Sequence, residues 1–428
     1  MSDERVNPFD SFSEVYKVLI WAGYYKLLKK PKNRFKAICH QVYRPFAFVL
    51  VVAYNLAHIT FIIQSRGNWD DVFDGSMIGL PHMNLLMKIL SLNMNISKVD
   101  QINEMINAPI FAAYSDKDEE LLLKTTRNMH GFMKFIKIYI TISGVILWPL
   151  SLFARRFQDP TAIVATYTPF PTDTWIGYSF SVLLESLASI LWTGYGHLAL
   201  DCLVATYYAQ AEVQLKIIKY NLEHLFDTDG ASRGASVYRD LTDTDLRNRF
   251  VHLVQRYEAV TWYTKAVSEV FNGSMSFEFF SCSAIVCVIT YRMSFTPVLS
   301  VSFIFMFIVL IIILAQVLMY CYFGNMVQYE SDSVLTSVYL SDWLTASPKF
   351  RRLLLIAMMR WSYRITPTVS GIVPLSLTTF VSVEVINGDS RKWRQHLGVV
   401  VIVDAPDMYC ITKKRPLVPG SPLTFDFE

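Results

Sequence analysis

Long apolar stretches separated by polar segments dominate the pattern of hydrophobic and polar positions along the chain. No Asp, Glu, Lys or Arg lies between Met293 and Tyr329, and a segment needs only roughly 20 apolar residues to cross the hydrocarbon core of a bilayer. Because backbone polar groups in lipid must be hydrogen bonded within the segment, such a stretch is helical. The same criterion predicts seven spans, over about 45–63, 75–96, 132–153, 176–207, 274–291, 297–323 and 366–383.

The basic residues between these spans alternate in number along the chain. Seven lie between Lys26 and Arg44 without a single acid, the loop after the first span holds only Arg66, and segment 208–273 holds eight. Lys and Arg are retained on the cytoplasmic side of a membrane. The sequence therefore predicts a cytoplasmic N-terminal segment, 1–44, a second cytoplasmic loop over about 208–273 and a third over about 324–365. This orientation is opposite to that of a G-protein-coupled receptor.

Two parts of the second cytoplasmic loop carry apolar residues at helical spacing. Each set steps by three and four residues and makes one apolar stripe on a polar helix. The stripes are Leu215, Ile218, Leu222 and Leu225, and Phe250, Leu253, Tyr257 and Val260. We expect the fourth and fifth spans to continue past the membrane as helices. The stripes are expected to pack either against each other or against helices of another subunit.

Composition narrows the possible functions. Hydrophobic residues make up 53% of the chain and charged residues 18%, whereas soluble domains carry about 25% charged residues. The formal net charge of +3 is too small to indicate a nucleic-acid partner. The six cysteines form no metal-binding pattern, and no nucleophile elbow, Walker loop or zinc-protease motif is present. We therefore predict a protein that is not an enzyme and that uses no cofactor or metal.

The region after the sixth span contains a series of specific motifs. Tyr320–Ser331 reads YCYFGNMVQYES, and 339–343 reads YLSDW. These are followed by LLLIAMMR at 353–360 and by PLSLTTF at 374–380. In order and spacing the motifs resemble the signature region of the insect odorant receptors, and the resemblance extends over roughly residues 8–383.

The resemblance implies an all-α, polytopic membrane protein with seven transmembrane helices, a cytoplasmic N-terminus and cytoplasmic helical extensions that form an anchor region. It implies an odorant-binding subunit of a ligand-gated cation channel, assembled with the family's co-receptor as a hetero-tetramer in the plasma membrane of olfactory sensory neurons. A small, volatile, apolar odorant would bind in the extracellular half of the bundle. The final helix of each subunit would line the pore.

Candidate ligand contacts lie in the outer halves of three spans. A pocket for a volatile odorant needs apolar and aromatic walls with a few polar groups. The third span offers Thr141, Gly144 and Trp148, whose i, i+3, i+7 spacing predicts one shared helix face and is similar to the third-helix pocket of the family. The other candidates are Tyr178, Phe180 and Glu185 in the fourth span and His82 and Met83 in the second. Glu185 is expected either to orient the ligand or to pair with a structural partner such as Lys88. Helix packing is the alternative explanation for the aromatic and small residues.

The signature segment supplies further candidates, which the resemblance assigns to two roles. The cytoplasmic assembly region would include Gly324, Glu330, Ser331, Tyr339 and Trp343. The pore helix would include Pro374, Ser376, Thr379, Phe380 and Val383.

The chain departs from the family at the end of this helix. Glu384 follows Val383, and an Asn-Gly turn signal and several charged residues come next. We therefore divide the chain into segment 1–44, a seven-helix domain 45–383 and a divergent tail 384–428. The tail suggests an alternative or unspliced transcript or an erroneous gene model, and it leaves open a non-conducting isoform. A G-protein-coupled-type receptor and a secondary transporter remain as alternative functions, disfavoured by the orientation and by the lack of inverted repeats.

Overall fold

The computed structural model describes residues 6–28, 34–142, 145–146, 148–158, 174–186, 192–226, 243–298, 300–369, 371 and 373–377. Nearly all of these residues are helical. The helices are α1 (Ser13–Ala22), α2 (Arg34–Gln64), α3 (Trp69–Met94), α4 (Ile96–Ile106), α5 (Asp116–Ile142), α6 (Trp148–Gln158), α7 (Trp175–Leu184), α8 (Gly194–Glu223), α9 (Asp243–Met293), α10 (Val301–Leu340) and α11 (Pro348–Trp361). Short 3₁₀ helices occur at Pro8–Phe12, Pro109–Phe111 and Trp343–Thr345.

Six of the seven predicted spans coincide with these helices. The first, second, fifth and sixth correspond to α2, α3, α9 and α10, the third to α5 with α6, and the fourth to α7 with α8. Among the described residues, three helices (α2, α9 and α10) are long and apolar enough to cross a membrane by their length and composition.

The buried and exposed faces of helix α2 differ in their side chains. Its inward residues follow a helical period and include polar ones: Ala47, Val51, Asn55, His58 and Phe61. Its exposed residues include eight large apolar ones: Phe35, Ile38, Val42, Phe46, Val49, Leu56, Ile59 and Ile63. A face of this kind is stable in lipid but not in water. The arrangement therefore supports a bilayer around α2.

The cytoplasmic extensions of α8 and α9 pack against each other within one chain. All eight residues of the two predicted stripes are buried in the main hydrophobic core. This outcome confirms the helical extensions and selects the intrachain alternative. The N-terminal helix α1 packs on the same region, where the hydroxyls of Tyr16 and Tyr207 lie 2.8 Å apart.

The segment that follows α11 differs from the predicted seventh span. The described residues of segment 366–376 are not helical, and Thr368–Val369 pairs antiparallel with Val373–Pro374 as strands β1 and β2. Gly371 has a φ of +69°, which favours glycine, and proline lacks the backbone N–H that a helix interior needs. Pro374 and Ser376 therefore precede the next helical residue, and their prediction as helix residues was wrong. Thr379, Phe380 and Val383 lie outside the described residues.

Candidate ligand-binding site

Three aromatic rings from two helices meet in the outer half of the bundle. Tyr54 and His58 belong to α2 and His82 to α3. The Tyr54 ring makes edge contacts with His58 at 4.6 Å and with His82 at 4.7 Å, measured between ring centroids. The two imidazoles stack at 5.2 Å. These residues form a compact aromatic group, which we call the histidine cluster.

The hydrogen bonds of His82 determine which of its ring nitrogens carries the proton. Nδ1 lies 2.8 Å from the carbonyl oxygen of Ile78, which can only accept a hydrogen bond, so Nδ1 is the donor. Nε2 lies 3.2 Å from the Thr193 hydroxyl and accepts from it when the ring is neutral. His82 thereby connects α3 to the segment that precedes α8.

Glu185 joins the histidine cluster from the end of α7. Its side chain is buried, and its carboxylate accepts a hydrogen bond from the Tyr54 hydroxyl. The expected alternative partner, Lys88, instead pairs with Asp201 and Glu278. A buried carboxylate beside aromatic edges gives the site one strong hydrogen-bond acceptor among apolar surfaces.

A second group, which we call the tryptophan cluster, lies beside the first. Trp148 and Leu152 of α6 pack with Tyr178 and Val182 of α7. The Tyr178 hydroxyl donates to the backbone carbonyl of Leu152 at 2.8 Å. The guanidinium of Arg156 lies 4.9 Å from the centre of the Tyr178 ring, within the range of a cation–π interaction.

Helix α3 joins the two clusters. The side chain of Ile78 packs against the tryptophan cluster, while its carbonyl accepts the hydrogen bond from His82 one turn later. Aromatic walls and a small number of polar groups therefore converge from α2, α3, α6 and α7. This composition is typical of sites for small, mostly apolar ligands.

The structure brings some of the predicted ligand contacts together and separates others. Trp148, Tyr178, Glu185 and His82 lie in the two clusters. Phe180 is exposed on the other side of α7, and Met83 has 37% of its surface accessible. Gly144 lies outside the described residues.

Thr141 is not part of either cluster. Trp148 is buried in the tryptophan cluster, and residues 143, 144 and 147, between the two, lie outside the described residues. Thr141 is exposed and contacts the Tyr195 hydroxyl at 2.5 Å. One turn earlier, Lys137 pairs with Glu14 of the N-terminal helix at 2.7 Å. Thr141 therefore contacts α8 rather than either cluster, and the face it was predicted to share with Trp148 stays a prediction.

Sequence reasoning missed four members of the site: Tyr54, His58, Thr193 and Arg156. A signal existed for His58, because a histidine within an apolar span faces the bundle interior rather than lipid. Its period with Val51 and Asn55 marks the same inward face. No local signal identifies Thr193, since its partner His82 lies 111 residues away in sequence.

The predicted assembly residues have mainly intrachain contacts. A Cβ added at Gly324 would lie 2.4 Å from the Cβ of Leu375, so only glycine allows this close approach. Glu330 is buried and accepts from Lys219 at 2.8 Å, and Ser331 accepts from the backbone N–H of Ile365 at 2.8 Å. Trp343 packs on the main core, whereas Tyr339 is 60% exposed.

Comparison with known proteins places this fold and site in context. The structure superposes on the insect olfactory receptor OR5 from Machilis hrabei with a TM-score of 0.72 and 15% identity, covering 90% of this chain and 97% of that one. It matches the same receptor in complex with eugenol equally well, with a TM-score of 0.72. Both likenesses concern the fold, a seven-transmembrane arrangement.

Sequence relatives give the same family. The chain is 26% identical to putative odorant receptor 19b of Drosophila melanogaster over 309 residues, which are 71% of this chain and 75% of that protein. It is 22% identical to the odorant receptor coreceptor of Aedes albopictus over 162 residues, which are 38% of this chain and 34% of that protein. The family model described as 7tm odorant receptor matches residues 68–384, and the chain therefore belongs to the seven-transmembrane odorant receptor family.

Proposed function

We propose that this protein detects a small volatile odorant at the joined histidine and tryptophan clusters and, together with a co-receptor subunit, forms an odorant-gated cation channel in the plasma membrane of olfactory neurons. The convergence of Tyr54, His82 and Glu185 with the aromatic wall of Trp148 and Tyr178 carries this proposal. Family membership supports the receptor role, and the co-receptor relatives support the choice of partner.

The chemistry of the two clusters suits a small odorant with one polar group. Each buried methylene of the ligand would contribute about 0.8 kcal/mol, so aromatic walls supply most of the affinity. Glu185 would accept a hydrogen bond from a hydroxyl of the ligand, in competition with the Tyr54 hydroxyl that it accepts now. A phenol such as eugenol, the ligand of the solved relative, is therefore the first probe to test.

A surface for the partner subunit exists at the cytoplasmic end. Several large apolar side chains are exposed on α10, α11 and the residues that follow each: Tyr339, Leu340, Leu344, Ile356, Met359 and Tyr363. Basic residues such as Arg351 and Arg352 support a cytosolic position for this region, outside the lipid. Since contiguous apolar surface in water marks an interaction site, we assign it to contacts between subunits.

The test is current recording from cells that express this chain with the odorant co-receptor. We expect odorant-evoked cation currents from the pair and none from this chain without the co-receptor. Glu185→Gln should raise the half-maximal concentration for hydroxyl-bearing odorants about 10- to 100-fold, because one hydrogen bond to a charged group is worth about 1.5–3 kcal/mol. Tyr54→Phe removes the competing donor and should lower that concentration. Hydrocarbon odorants should shift much less.

Leu183→Ala is the matched control, because Leu183 lies on the same helix as Tyr178 but is 54% exposed. It should leave the odorant profile unchanged. Equal shifts for hydroxyl-bearing and hydrocarbon odorants in Glu185→Gln would refute the role of the carboxylate. Odorant currents that survive without any co-receptor would refute the heteromeric channel.

A further inference from the structure

A buried ionic group lies in the inner half of the bundle, apart from the candidate odorant site. Lys88 of α3 forms ion pairs with Asp201 of α8 and Glu278 of α9. All three side chains are at most 4% exposed. His197, one turn before Asp201 on α8, lies 2.8 Å from the Lys88 ammonium through its Nε2. The group therefore ties three helices together around one positive charge.

The hydrogen bonds of Lys88 are complete. An ammonium has three N–H donors and no acceptor, and Lys88 has three acceptors: Asp201, Glu278 and the imidazole of His197. Because His197 accepts through Nε2, its proton is on Nδ1 and the ring is neutral. The ammonium thus occupies the centre of a three-ligand shell, as a bound cation would.

Neutral side chains complete the shell around the two carboxylates. Asp201 accepts from the hydroxyl of Tyr320 and, at 2.5 Å, from the amide of Gln316. Glu278 accepts from Asn84 and, at 3.4 Å, from the thiol of Cys282. With one ammonium and two carboxylates, the group carries a formal charge of −1, so it binds cations with an excess of negative charge.

The three acceptors have the chemistry and spacing of a metal site. The ligand atoms of His197, Asp201 and Glu278 lie within 4.8 Å of one another, and the imidazole Nε2 is 4.0 Å from a Glu278 oxygen. Zinc bonds histidine and carboxylate at about 2.0–2.2 Å, so two of its ligands are separated by about 3–4 Å. A divalent ion would also neutralise both carboxylates, which the single charge of Lys88 does not.

We propose that His197, Asp201 and Glu278 form an intramembrane cation site whose resident cation is the ammonium of Lys88, and that a divalent metal ion such as Zn²⁺ replaces it when this side chain is shortened. The positive charge, rather than the alkyl chain of Lys88, holds α3 against α8 and α9. In the native protein the tethered ammonium fills the site and excludes metal.

The cation site shares α3 with the candidate odorant site, and both sites also contact the beginning of α8 or the residue before it. His82 is six residues before Lys88 on α3, and its partner Thr193 is four residues before His197. Thr193 and His197 are four residues apart and therefore share one helix face. The contacts from Thr193 to His82 and from His197 to Lys88 thus follow one another along the interface with α3. Lys88 is therefore a positioning residue for His82, a consequence that rests on the proposed function.

The experiment compares the melting midpoint of the full chain, purified in detergent, in ZnCl₂ and in EDTA. Lys88→Ala should lower the midpoint, and zinc at saturation should raise it again by roughly 3–5 °C. The native protein should not respond. Lys88→Ala/His197→Ala should lose the zinc effect, because one of three ligands is missing. Lys98→Ala is the matched control: Lys98 also pairs with a glutamate of α9, Glu269, but at an exposed position.

Several outcomes would overturn the proposal. A Lys88→Ala protein with the native midpoint would show that the charge is dispensable, and a zinc response that persists without His197 would place the metal elsewhere. If Lys88→Ala does not accumulate, the double variant Lys88→Ala/Glu278→Gln provides the test, because it removes one charge of each sign. The double variant should accumulate to a higher yield than Lys88→Ala. An equal or lower yield would refute the electrostatic argument. Zinc rescue of stability without rescue of odorant sensitivity would leave the cation site standing and refute only the positioning of His82.

Discussion

Gly196 gives the most direct test of how the N-terminal segment packs against the bundle. A Cβ at this position would lie 1.9 Å from Cε2 of Tyr24, and Tyr24 is itself only 2% exposed. Carbon atoms that are not bonded pack at about 3.5–4.0 Å, so Gly196→Ala forces an overlap of about 1.5 Å or more. The ring is enclosed and has little space to move.

The magnitude follows from two opposing effects. Overpacking of this kind costs about 1–3 kcal/mol, whereas glycine to alanine within a helix gains up to about 1 kcal/mol. Gly194 provides the matched control on the same helix, since among the described residues its added Cβ would meet Ile140 alone, at an ordinary 3.6 Å. We expect Gly194→Ala to be neutral or stabilising and Gly196→Ala to be less stable than it by about 1–3 kcal/mol.

The assay is the melting midpoint of detergent-purified receptor, measured for both alanine variants and for Gly196→Ala combined with Tyr24→Ala. Removal of the ring eliminates the overlap, so Gly196→Ala should cost nothing in the Tyr24→Ala background, and the two changes should be non-additive. Equal midpoints for the Gly194 and Gly196 variants, or simple additivity, would show that Tyr24 does not fill this position.

Three further predictions concern other parts of the molecule. Burial lowers the pKa of the Arg256 guanidinium to about 10, which corresponds to a cost of roughly 3 kcal/mol for the charge. Arg256→Met should therefore change the free energy of unfolding by only about 1–2 kcal/mol, although the hydrogen bond to Gln214 is lost. An Arg256→Met protein whose melting midpoint is as low as that of Arg256→Ala would contradict this expectation. Hydrogen bonds from Lys137 and then Lys17 lower the pKa of Glu14 to about 2. The native protein should therefore be more stable than Glu14→Gln above pH 4.5, and this difference should disappear as the pH falls towards 2. Melting midpoints of both proteins at a series of pH values will check this. Trp148→Ala should shift odorant sensitivity while leaving surface expression intact, and an unchanged odorant profile would exclude Trp148 from the site.

Local patterns carried enough information for six of the spans and for the helical extensions of α8 and α9. Hydropathy and loop charge can be read from short segments of the sequence. Each membrane helix satisfies its own backbone hydrogen bonds, and each loop interacts with the membrane surface independently. For the same reason the stripe from Leu215 to Leu225 predicted its buried face correctly. It gave no information on the partner that covers that face.

The contacts that make the sites depend on distant parts of the chain. A lysine in an apolar span indicates that a carboxylate lies near, but Glu185, Asp201 and Glu278 were all available to Lys88, and the choice follows from how α3 packs between α8 and α9. Thr141 meets Tyr195, 54 residues away in sequence, and β1 and β2 occupy the first part of the last predicted span. In each case the energy comes from side chains far apart in sequence, which no short window of residues contains.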